Sequence, residues 1–71
     1  MPKLPLISGI ECRRALMKLG FEEVRQRGSH VVMKKGGVGC VVPMLKEIKV
    51  GTLAGILRQA GVSAETFIES L

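Results

Sequence analysis

Aspartate, tryptophan and tyrosine are absent from this sequence, histidine occurs once, and the aromatic residues are two phenylalanines. Each absence closes off some chemistry. Without Asp, the acids are all Glu and scattered, so the clustered carboxylates of a two-metal phosphodiester site are missing. Neither a metal site nor a cofactor is expected. Cys12 and Cys40 lie far apart with no paired spacing, which points to reduced core thiols and not to a disulfide or metal clip. No apolar run approaches the ~20 residues that span a membrane. The opening Met1-Pro2-Lys3-Leu4-Pro5 lacks a secretory apolar stretch, so the expectation is a cytoplasmic protein that does not engage membranes. Gly36-Gly37-Val38-Gly39 precedes a strand and not a helix, which makes it turn chemistry instead of a nucleotide loop. With only Phe21 and Phe67, the core must come from Val, Leu, Ile and Met. The 71 residues form one small domain over 1–71, of a size that buries only about 60% of its unfolded surface.

What is present is positive charge, and it is concentrated. The net charge of +5 sits on residues 25–49, where Arg25, Arg27, Lys34, Lys35, Lys46 and Lys49 face only Glu47. Bases and acids balance in the rest of the chain. Clustered positive charge favours a polyanion, most simply nucleic acid.

Ser8-Gly9-Ile10-Glu11 has capping-box spacing. Cys12, Ala15, Leu16 and Leu19 then follow at i, i+3, i+4, i+7, which predicts a helix over 9–19 stopped by Gly20. Phe21–Arg27, His30–Lys35 and Val38–Val42 read as strands joined by the two-residue turns Gly28-Ser29 and Gly36-Gly37. Residues 1–7 read as extended, and 44–49 as a polar connection. Leu53, Ile56, Leu57 and Ala60 mark a second helix closed by Gly61. Ser63 caps a short last helix whose buried side would be Phe67, Ile68 and Leu71. The fold class is α+β, a two-layer α-β-β-β-α domain with helices on one face of an antiparallel sheet. If both turns hold two residues, Arg27 faces His30, Arg25 faces Val32 and Glu23 faces Lys34. Val31, Val32 and Met33 then face Val42, Val41 and Cys40. Alternation puts Val24, Val31, Met33, Val38, Cys40 and Val42 on a core face. Arg25, Arg27, His30, Lys34, Glu23, Val32 and Val41 fall on an open, basic one.

His30 is the one side chain whose ordinary pKa falls in the physiological range. Cations on its own face would favour the neutral imidazole. A neutral imidazole can take the proton of a ribose 2′-hydroxyl, while Arg27 and Lys34 stabilise phosphate charge and Gly28 and Ser29 position the turn. That describes slow RNA cleavage without metal. Three simpler readings stand beside it. His30 is a polar turn residue, the chain is a non-catalytic RNA-binding module, or Val32 and Val41 form a patch for a protein partner.

Leu19-Gly20-Phe21, Arg25-Gln26-Arg27-Gly28-Ser29-His30, Val42-Pro43, Gly51-Thr52-Leu53 and Ile56-Leu57-Arg58-Gln59-Ala60-Gly61 together resemble the HicA toxin family over roughly residues 6–71. The resemblance implies a fold like that of double-stranded-RNA-binding domains and an mRNA interferase activity. It also implies a HicB-type antitoxin that blocks the active histidine, here His30. The RNA contacts expected from charge and resemblance are Arg25, Arg27, Ser29, Lys34, Lys46 and Lys49. Two positions depart from the pattern. Leu45 stands where many members have His, and Ala54 where members often have a base.

Overall fold

A computed structural model describes residues 3–71. Its elements are α1 (Gly9–Lys18), β1 (Glu22–Arg27), β2 (His30–Lys35), β3 (Val38–Pro43), α2 (Val50–Ala60) and α3 (Ala64–Glu69). The sheet is antiparallel in the order β1-β2-β3. Of the extended start, Met1 and Pro2 lie outside the described residues. Further on, Ile7 makes an antiparallel bridge with Ile48.

Helix α1 starts where its caps dictate. The Ser8 hydroxyl accepts from the Glu11 N–H, and the Glu11 carboxylate accepts from the Ser8 N–H, at 3.1 and 3.0 Å. The Ser8 backbone N–H and then its hydroxyl hold the Glu11 carboxyl below its ordinary pKa. Its contribution is therefore complete above the ordinary carboxylate range and fades as pH falls through the lowered value. Ser8→Ala should cost about 1 kcal/mol, measured by urea denaturation at neutral pH. At the other end, the Lys35 ammonium donates to the Leu19 carbonyl at 2.8 Å and closes the last turn.

The core forms between the helices and one face of the sheet. Cys12, Ala15 and Leu16 of α1 meet Val31, Met33, Cys40 and Val42 of the sheet, and Leu53, Ile56, Leu57 and Ala60 of α2, with Phe67 of α3. Burial pushes the Cys12 thiol up to about 12, with Cys40 adding to the shift, and burial alone raises Cys40. Both cysteines are free. In the folded chain, iodoacetamide at pH 8 should leave both unmodified, and mass spectrometry should show both alkylated after denaturation.

The register of β2 and β3 is the one the turns predict, from Val31 opposite Val42 to Met33 opposite Cys40. Strand β1 departs from expectation. Arg27 faces His30 and Arg25 faces Val32, but a bulge at Val24 then sets Glu23 opposite Met33 and Glu22 opposite Lys34. The extra residue reverses the alternation. Phe21 turns into the core and Glu23 turns toward α1, where it pairs with Arg13. Val24 is left 56% exposed. The choice is energetic, because Phe21 sits near the top of the roughly 1.5–3 kcal/mol range for burying an apolar side chain and the smaller Val24 near the bottom. Val38, also expected in the core, is exposed beside the Gly36-Gly37 turn of its hairpin, and Leu71 is exposed at the chain end. Ile48 is fully buried inside the segment read as a polar connection.

Candidate functional site

The Gly28-Ser29 turn is built as the sequence requires. Gly28 has φ 55°, while among the described residues none other than glycine has positive φ, which matches the first-position glycine of a type II′ turn. A Cβ at Gly28 would meet nothing within 4 Å, so the backbone angle and not space demands glycine. Two further bonds hold the turn. The Gln26 side-chain amide donates to the Gly28 carbonyl at 3.0 Å. The Met44 N–H donates to the Ser29 carbonyl and ties the end of β3 to the hairpin.

His30 begins β2 between two partners, Arg27 on one side and Pro43 on the other. It is exposed. On the Pro43 side it opens onto a groove of about 560 Å³, lined by His30, Val41 and Pro43 on the sheet and by Thr52, Gly55, Ile56, Arg58 and Gln59 on α2. The groove lies where the edge strand β3 runs beside α2. One wall is the open sheet face and the other is a helix.

The expected RNA contacts do not gather in one place. Arg27 is the cation opposite His30 across the hairpin, with Cβ atoms about 5 Å apart in such a pair. Arg25 and Lys34 are exposed on the same sheet face. Lys34 is four residues along the strand, roughly 13 Å from His30, so the two cannot serve one phosphate atom directly. Ser29 is exposed in the turn. Lys46 belongs to a separate depression with Ser8, Ile10, Gln26, Met44 and Leu45, on the α1 side. Lys49 is the exposed N-cap residue of α2. Thr52, Arg58 and Gln59 of the α2 wall enter the sequence reading as part of the family resemblance, but neither they nor Gly55 are given a place in the site there. The further signal for it is a second stripe on α2, with a glycine in mid-helix. Among the described residues, no group of three His, Cys or Glu side chains is placed to hold a metal ion. None of their helices is long and apolar enough to cross a membrane.

The family model of the HicA toxin of bacterial toxin-antitoxin systems matches residues 9–62, about three quarters of the chain. The chain belongs to the HicA toxin family. Membership implies the toxin of a type II toxin-antitoxin pair, with RNA as substrate and a HicB antitoxin as partner. No curated protein matches the chain. For this HicA chain the two departures from the family pattern fall away from the groove. Leu45 lines the α1-side depression, and Ala54 is not among the residues of the His30 groove.

Proposed function

We propose that the chain is an mRNA-cutting endoribonuclease that works without metal in the cytoplasm, with His30 as the proton-transferring residue. The observation that carries this reading is the exposed imidazole at the mouth of a groove. The unprotonated ring nitrogen takes the proton of a ribose 2′-hydroxyl. The freed oxygen attacks the adjacent phosphorus, a 2′,3′-cyclic phosphate forms, and the bond from phosphorus to the 5′-oxygen breaks. The 5′-oxygen leaves with a proton from water or from the imidazolium. Arg27, across the hairpin, offsets the negative charge that builds on the phosphate. Gly28 and Ser29 fix where the ring stands. Arg25, Lys34, Lys46 and Lys49 attract the strand from further out.

A HicB-type antitoxin would silence the enzyme by covering this place. Val41 is 41% exposed and lines the same groove as His30. A partner that fills this groove over the valine would also cover the imidazole, so that binding and inhibition become one event.

The test is cleavage of an unstructured RNA by the purified chain in excess chelator, beside DNA of the same sequence. RNA should be cut to fragments ending in 2′,3′-cyclic phosphate and DNA should survive, since it lacks the attacking hydroxyl. Cleavage of both, or of neither without added divalent metal, overturns the mechanism. Salt-sensitive RNA binding with no cleavage at any concentration would make the chain a binding module.

A further inference from the structure

Apart from Ile56, the α2 wall of the groove is made of residues outside the helix's buried stripe. Thr52, Gly55, Ile56 and Gln59 stand at i, i+3, i+4 and i+7, and so form one stripe. It runs beside the buried stripe Leu53, Ile56, Leu57 and Ala60 and shares only Ile56 with it. Ile56 anchors the wall to the core, and the others are small or polar. Gly55 sits in mid-helix, where glycine is a poor helix former. Its φ is not positive, and a Cβ there would meet nothing within 4 Å. Neither backbone angle nor a packing contact requires glycine. What its missing side chain leaves is open groove. Arg58 lines the same groove from the last turn of α2, is exposed, and takes no part in the side-chain hydrogen bonds or ion pair of the described residues.

We infer that α2 is the strand-holding half of the site. An unpaired RNA segment lies between Val41 and Pro43 on the sheet and the gap at Gly55 on the helix. Arg58 binds one of its phosphates, and the Gln59 amide, which both donates and accepts, meets a base edge. The inference takes its substrate class from the ribonuclease reading. The groove is of ligand-pocket size, whereas duplex RNA is bound across about 16 base pairs of surface. A groove of this size suits a few unpaired nucleotides better than a duplex. Arg58 also suits the negative end of the helix dipole, a structural role that would leave RNA affinity unaffected.

The experiment is equilibrium binding of a short unpaired oligoribonucleotide to the full chain carrying His30→Ala, so that cutting does not enter. On that background, Arg58→Ala should weaken binding about tenfold at low salt and flatten the slope of log affinity against log salt by ~0.7. Arg58→Lys should recover most of the slope, because a point charge still neutralises a phosphate. Gly55→Ala should raise the melting temperature by about 4 °C and yet weaken binding several-fold. Arg14→Ala, an exposed cation on α1, should leave binding near its starting value. Unchanged affinity and salt slope in both Arg58→Ala and Gly55→Ala overturn the inference. If the chain with His30 intact fails to cut RNA while these two variants still bind weakly, the ribonuclease reading falls and the strand-holding wall stands.

Discussion

His30→Ala should lower metal-free cleavage of single-stranded RNA by about 10²–10⁴-fold, the range for removing one positioned acid or base. On the proposed mechanism the loss should appear in kcat with little change in KM, because the imidazole would act on the reacting proton while the cations would bind the strand. Instability does not explain such a loss. His30 is exposed and its ring enters none of the side-chain hydrogen bonds of the described residues, and substitutions of that kind usually stay within about 0.5 kcal/mol. The variant should therefore melt with its parent. Added imidazole should restore part of the rate, since the vacated position opens directly onto the groove. A variant that cuts as fast as its parent would remove His30 from the chemistry. A variant that cuts slowly because it no longer binds RNA would turn the histidine into a contact.

The parts of this site that were readable in sequence are those that depend on local rules. Two-residue turns set register, so Arg27 opposite His30 and the whole of the β2–β3 pairing followed from Gly28-Ser29 and Gly36-Gly37. The capping box and the two buried stripes were legible for the same reason, since each is a spacing rule within one element. What escaped needed a comparison between distant residues. The Val24 bulge is decided by whether Phe21 or Val24 gains more from burial, and strand alternation alone carries no sign of an inserted residue. Ile48 stands singly between charged neighbours and has no periodicity to betray it; its partner is Ile7, forty-odd residues earlier. The α2 wall exists only because β3 is an edge strand lying next to α2. Charge clustering in residues 25–49 drew attention to Lys34 and Lys46, whereas Arg58, outside that stretch, shares the groove with His30. Proximity in sequence located the histidine; proximity in space found the cation beside its groove.

The closest approach that builds this arrangement is at Gly9, where substitution should do the most damage to the fold. Gly9 is the first residue of α1, and a Cβ on it would lie 2.2 Å from the Pro43 carbonyl oxygen and 2.7 Å from the Met44 Cα. Both are backbone atoms and neither can rotate aside. Two effects compete in Gly9→Ala. Helix propensity favours alanine by roughly 0.5–1 kcal/mol. Overpacking costs typically 1–3 kcal/mol and occasionally more, and a carbon this near a backbone oxygen belongs at the upper end. The contact wins, for a net loss of about 2 kcal/mol, against a total of ~4–10 kcal/mol for a chain of this length. The melting temperature should fall by about 10 °C, and Gly9→Val should fail to fold. The strain would also reach the site. The Gly9 N–H donates to the Leu45 carbonyl at 2.8 Å, Met44 donates to the Ser29 carbonyl, and Pro43 pairs with His30. Pushing α1 away from Pro43 and Met44 therefore moves the strand end that borders the imidazole, and folded Gly9→Ala should cut RNA more slowly below its melting range. Gly55→Ala makes the control for stability alone, the same substitution in a helix where the added carbon meets open space. Thermal melts read both at once: Gly9→Ala down, Gly55→Ala up. A Gly9→Ala chain as stable as its parent would mean that α1 and the end of β3 are not held against each other as described.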